Sequence, residues 1–199
     1  MQPQTRPGRI SGGSVLQPDV TEAITNAFFN ELAEVGYGRL SIDAVARRAG
    51  VGKAAIYRRW KSKLEIAVAL TSTVAVAAID VPDTGNLRDD VREYLARGRE
   101  ALTHRLARRI IPDVLAEASR NPDLTEALLM SVRDPRRAKA AQVIERAIAR
   151  GELPADTDIE LCLDLLGGPL YWRLIVVQTD AADSYLDHLA DSITAAMKV

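Results

Sequence analysis

Lys53, Ala54, Ala55, Tyr57, Arg58 and Arg59 fall within seven residues, and Lys61 and Lys63 follow at once. These types at this spacing suit a surface that reads DNA. Lysine donates to guanine edges, an alanine methyl meets a thymine methyl, and tyrosine and arginine hold phosphate oxygens. Small alanines also let a helix approach the bases. Ile56 and Trp60, four apart, are left to face inward together.

Such a surface needs two helices to aim it. Ser41 suits an N-cap, because its hydroxyl accepts a bond from a free amide in the first turn. Asp43 follows where a negative charge favours the helix dipole. Ile42, Val45, Ala46 and Ala49 recur at i, i+3, i+4 and i+7, one apolar helical face, with Arg47 and Arg48 off it. Gly50 suits the left-handed residue that ends a helix, and Val51 plugs the turn into a core. Gly52 begins a second helix that runs to Trp60, and Lys61 and Lys63 open a third, where lysines and free amides both grip a phosphate. This is the layout of a helix-turn-helix with one helix in the major groove. A basic helix alone is more often a solvated face. The ordered set of cap, stripe, Ala-Gly-Val turn, basic helix with Tyr, and Lys-x-Lys is more specific.

The segment resembles the DNA-binding domain of the tetracycline-repressor (TetR) family of bacterial transcription regulators. That pattern runs from Thr or Ser through I-A-x-x-A-G-V-S to a Tyr, an aromatic and a Lys. Here it stands as Ser41, Val45-Ala46-Arg47-Arg48-Ala49-Gly50-Val51, Ile56-Tyr57, Arg59-Trp60 and Ser62-Lys63. It extends back through Ala27 to Gly36 and Tyr37, and covers about a quarter of the chain. Two positions depart: Gly52 stands where the family usually has Ser, removing a cap or phosphate contact, and Trp60 replaces Phe with the same packing role. The resemblance implies phosphate contacts from Ser41, Tyr57 and Lys63, and base reading around Lys53, Ala54, Ala55 and Arg59. It also implies a homodimer on a palindromic double-stranded operator. Such a regulator represses until a small-molecule effector, bound among the middle helices, rotates the heads out of register.

Composition frames the remainder. A chain of 199 residues has room for one or two domains. We expect a flexible arm over residues 1–17, a helix-turn-helix domain over 18–64, and an effector-binding and dimerisation domain over 65–199. Residues 1–65 hold ten Lys/Arg against six Asp/Glu, a net of +4, and the remainder sixteen against twenty-one, a net of −5. A basic head on an acidic body suits a polyanionic partner at the head. Arg6 and Arg9 in the arm could reach a neighbouring minor groove. The single cysteine, Cys162, excludes an internal disulfide framework and reads as a small apolar residue in a helix. No apolar run nears membrane-spanning length and no signal peptide opens the chain, so a cytoplasmic protein without membrane contact is expected.

The fold class expected is all-α. Helices are predicted at 19–35, 62–79, 87–104, 105–119, 122–150, 158–178 and 182–197, with an interruption at Asp134-Pro135 and a kink at Pro169. Leu161, Leu165, Gly168 and Trp172, continued by Ile175 or Val176, make one stripe, and Leu186, Leu189 and Ile193 another; together they are the predicted dimer interface. Tyr94, Leu102, His104, Ile111, Leu115 and Leu129 are candidates for an effector pocket, although any one of them could be plain core. No cofactor or metal is expected: only His104 and His188 are available, neither in a Glu-x-x-His pair, and no nucleophile elbow, phosphate loop or Cys-x-x-Cys occurs. A helical protein-binding adaptor is the remaining rival, with a helical-bundle enzyme further behind.

Overall fold

The computed structural model describes residues 18–77 and 81–198. The arm, with Arg6 and Arg9, and the predicted end of the fourth helix therefore lie outside the described residues. Those described form ten α-helices and no strand. In chain order they are α1 (Pro18–Arg39), α2 (Ile42–Ala49), α3 (Lys53–Tyr57), α4 (Lys63–Ala77), α5 (Leu87–Thr103), α6 (Ala107–Ala118), α7 (Pro122–Leu128), α8 (Asp134–Ala149), α9 (Ile159–Tyr171) and α10 (Asp183–Ala196).

Local chemistry accounts for most boundaries. Asn86, Asn121 and Asp158 each cap a helix by accepting the amide three residues on. Pro122 then sits just inside α7, where no amide is needed. The predicted 122–150 helix is interrupted, but by a π-helical turn over Leu129–Arg133 and not at Asp134-Pro135, which open α8. A second π-helical stretch, Trp172–Val176, follows Pro169 in α9. The end of α1 differs from expectation. α1 passes through Gly36 at φ 75°, ψ 165° and resumes as far as Arg39, which leaves Gly36 as an internal kink. Only a residue without Cβ takes that φ easily.

Two apolar cores result. One is the head: Ile24, Phe28 and Leu32 of α1, Val45 of α2, Ile56 of α3 and Ile66 of α4 are all at most 1 % exposed. Each such side chain contributes about 1.5–3 kcal/mol on burial. This core continues into Ile110 and Val114 of α6 and Leu124 of α7, so the head rests directly on the middle helices. The other core joins Leu87, Val91 and Leu95 of α5 to Val143 and Ile144 of α8, Leu166 and Leu170 of α9, and Leu186 and Ile193 of α10. Cys162 is buried there among apolar side chains, and desolvation pushes its thiol above the ordinary range. Ion pairs clamp α10 along α5: Arg88 to Asp191 at 2.9 Å, Arg92 to Asp187 at 2.6 Å and Arg99 to Asp183 at 2.9 Å.

Candidate nucleic-acid interface

α2 and α3 carry the head's outward face. α2 buries Ile42, Val45 and Ala46 against α1 and turns Asp43, Arg47 and Arg48 outward. The turn that follows is a Schellman closure. Gly50 adopts φ 66°, ψ 28°, its amide donates to the Arg47 carbonyl at 3.2 Å, and the Val51 amide donates to that of Ala46 at 3.0 Å. α3 is shorter than expected, because the chain leaves α-helical geometry after Tyr57 and closes Arg58 to Trp60 as a tight turn. Ile56 is buried and Trp60 half-buried against the same core, the inward pair expected from their spacing.

The predicted contact residues separate into two groups. Ser41, Gly52, Lys53, Ala54, Tyr57, Arg58 and Lys61 are exposed, with Ala55 half-buried. Ser41 occupies the N-cap of α2 with φ −122° and ψ 131°, yet its hydroxyl makes no cap hydrogen bond. That corrects the expectation that it accepts an amide, and it leaves the hydroxyl available. Gly52 has open space around the position of a Cβ, so the missing serine is not a matter of crowding. Among the described residues the Arg47, Arg58 and Lys61 side chains have no hydrogen-bond or ion-pair partner. Arg59 and Lys63 are engaged within the fold, as are Lys53, despite its exposure, and the neighbouring Arg48, which was not among the predicted contacts. Arg59 is half-buried and donates to the Ala55 carbonyl at 2.8 Å and to the Thr21 hydroxyl at 3.3 Å, which turns it back from the surface assigned to it. Arg48 bridges to Glu31 at 3.0 Å and to Glu34. Lys63 donates to the carbonyls of Tyr37 at 3.0 Å and Gly38 at 3.3 Å, with its ammonium 4.6 Å from the Tyr37 ring centre. Lys53 bonds to Asp43 and lies over the Tyr57 ring at 5.8 Å, and the Asp43 hydrogen bond foremost raises the lysine's affinity for its proton.

Sequence reasoning missed Asp113. Its carboxylate accepts the Tyr37 amide at 2.7 Å from across 76 residues, which ties α6 to the kink of α1. A Cβ on Gly36 would lie 2.4 Å from the same carboxylate. Burial, helped by Glu117, pushes the Tyr37 phenol above its ordinary range. Tyr37 is thus held at its amide by α6 and at its carbonyl by α4.

The six pocket candidates do not surround one cavity. Tyr94 and Leu102 pack against the bundle core, and burial pushes the Tyr94 phenol up. Ile111 is half-buried. His104 is exposed because it terminates α5 and turns Nδ1 to accept the Leu106 amide. Leu115 is 49 % exposed, on the side of α6 away from Ile110 and Val114. Of the six, only Leu129 lines a groove of about 640 Å³, with Ala118, Arg120, Thr125, Met130 and Arg133.

The two predicted dimer stripes also part company. Leu161 and Trp172 are 56 % and 60 % exposed, Gly168 is exposed, and Leu165 is half-buried. Leu186 and Ile193 instead lie in the protomer's own core and Leu189 packs against it, because α10 is drawn onto α5. Val176 and Val177, both about half exposed, extend the α9 face.

With this geometry in view, the relationships of the chain are informative. Residues 24–70 match the family described as bacterial regulatory proteins, tetR family, and residues 81–193 match the tetracyclin repressor-like C-terminal domain. The HTH-type transcriptional regulator YdeS of Bacillus subtilis is 31 % identical over 168 residues, which is 84 % of each chain. The DNA-binding transcriptional repressor TetR of Mycobacteroides abscessus is 33 % identical over 162 residues, 79 % of this chain and 83 % of that one. The crystal structure of the TetR family transcription regulator SCO0332 superposes with a TM-score of 0.70 at 26 % identity, over 89 % of this chain and 97 % of the other. The exposed α3 face, the turn at Gly50 and the helical bundle behind them are those of a helix-turn-helix transcriptional regulator, and the chain belongs to the TetR family.

Proposed function

We propose that the protein is a dimeric repressor that grips a palindromic operator through the α2–α3 faces of two heads and releases it when a small molecule binds among the middle helices. The observation that carries this reading is the set of free cations around α3. Arg47, Arg58 and Lys61 are exposed with no partner among the described residues, beside the exposed hydroxyls of Ser41 and Tyr57. Fixed cations without internal partners release counterions from DNA at full effect. Two copies are required because one short α3 reaches only a few base pairs, and paired heads would meet half-sites about 34–36 Å apart or a multiple of that. The exposed Leu161–Trp172 face of α9 supplies an apolar surface for the second copy.

The groove along α6, α7 and the π-helical turn is our proposed effector site; of the six residues suggested by sequence it keeps Leu129. It combines Leu129 and Met130 with Arg120, Arg133, Glu126 and Asp134, which suits an apolar molecule with a polar end. The groove lies on the helix that holds Tyr37, so an occupant that prefers one position of α6 would move the head. We place this switch in the cytoplasm, beside its DNA. Among the described residues no helix is long and apolar enough to cross a membrane.

Fluorescence anisotropy with the duplex beside its own gene, at several salt concentrations, tests the reading. We expect log affinity to fall linearly with log salt, with a slope that shrinks by about 0.9 when Lys61 is replaced by Ala. Affinity indifferent to salt would remove the basis for an electrostatic grip.

A further inference from the structure

A carboxylate stands where a DNA-binding face has little use for one. Asp43 lies in the first turn of α2 with its side chain 56 % exposed, and it receives the ammonium of Lys53, the first residue of α3, at 2.9–3.0 Å. The first residues of the second helix of a helix-turn-helix are those that meet base edges. A group bonded to Lys53 is therefore held at the same edge. The pair is exposed on both sides, so it adds little to stability. The head's other ion pairs to α2 do structural work by tying Arg48 to α1. Asp43 neutralises the one lysine best placed to read a base, and it would repel nearby phosphates unless it met a donor of its own.

We propose that Asp43 is a second base-reading residue, and that Asp43 and Lys53 together read a single base pair. The proposal rests on the α2–α3 face being the DNA-reading face. The match is one of polarity and spacing. In the major groove a G·C pair presents the guanine O6 acceptor next to the cytosine N4 donor, joined by a Watson–Crick hydrogen bond of about 2.9 Å. Lys53 Nζ and Asp43 Oδ2 are 3.0 Å apart, with the opposite polarity. Set edge to edge, the ammonium donates to O6 and the carboxylate accepts from N4, so every donor meets an acceptor. Guanine N7 offers the ammonium a further acceptor. A T·A pair in the same orientation keeps the order of O4 and N6, but it puts a methyl in the place of guanine N7 and adenine N7 beside the carboxylate. Turning either pair around sets ammonium against amino group and carboxylate against carbonyl oxygen.

Selection from a randomised duplex library, run in parallel on the wild type, Asp43→Ala and Asp43→Asn, tests this. The wild type selects G·C at one position of each half-site. Asp43→Ala lowers that preference roughly ten-fold, the discrimination expected of a well-placed pair of hydrogen bonds. It leaves the other positions intact. Asp43→Asn moves the preference to T·A, because an amide bonds adenine at N6 and N7 together. Unchanged preferences in both variants, with the wild type still selecting a site, overturn the proposal and leave the DNA-reading face standing. A wild type that selects no sequence overturns both. Asp43 is exposed, so thermal unfolding of each variant matching the wild type confirms that the readout is recognition.

Discussion

Adjacent arginines after α3 sit in different environments. Arg58 is exposed without a partner among the described residues, whereas Arg59 is half-buried and bonded to Ala55 and Thr21. Arg58→Ala should therefore weaken DNA binding and flatten its salt slope by about 0.9 while leaving the melting temperature unchanged. Arg59→Ala should cost about 1 kcal/mol of stability, a fall of about 2–4 °C in melting temperature, with a smaller change in salt slope. Parallel calorimetry and anisotropy separate the two, and identical profiles would contradict the assignment. Their difference could not be read from the sequence. The Thr21 partner lies 38 residues upstream, and only the packing of α1 beneath α3 brings it into range. Lys53 and Asp43 pose the same difficulty, since they lie on different helices.

The joint between α1 and α6 belongs to the scale of elements. Gly36 holds φ 75° directly beneath the Asp113 carboxylate that accepts the Tyr37 amide. A methyl there meets both backbone strain and a pinned carboxylate, so Gly36→Ala should cost about 2 kcal/mol or more. Asp113→Ala should cost about 1–2 kcal/mol by leaving an amide unpaired. The double variant should lose less than the two costs combined, because removing the carboxylate makes room for the methyl. Strict additivity in denaturant melts would show that the two groups do not interact. Legibility in sequence followed the range of the interactions. The Gly50 turn and the apolar stripe of α2 are settled within a few residues, and the α2–turn–α3 unit was readable from Ser41 to Lys63, although the Ser41 cap bond is not made. The kink at Gly36 was not, since the carboxylate that occupies the space beside it lies on α6. The sequence marked a break at Asp134-Pro135, whereas the irregular turn lies just before it, at Leu129–Arg133.

For the whole molecule, the question is which apolar stripes remain available. α9 and α10 carried equivalent patterns in sequence, yet only α9 presents its stripe outward, because α10 buries Leu186 and Ile193 in the core shared with Leu87, Val91 and Leu95 of α5. Pairing through α9 predicts that Trp172→Arg yields a monomer in sedimentation at micromolar concentration, with its helical content intact. That variant should also lose operator affinity by far more than any single phosphate contact. A Trp172→Arg protein that still sediments as a dimer would place the pairing surface elsewhere.

The positions of the two tryptophans give the chain its own pair of optical probes. Trp60 lies half-sunk under the α2–α3 face, and Trp172 stands in solvent 60 % uncovered at the end of α9. Each can be isolated by turning the other into phenylalanine, with no dye attached. Emission from Trp172 alone should shift to the blue as dilute protein is concentrated, and that from Trp60 alone should change when duplex is added. Assembly and recognition could then be timed separately in one cuvette.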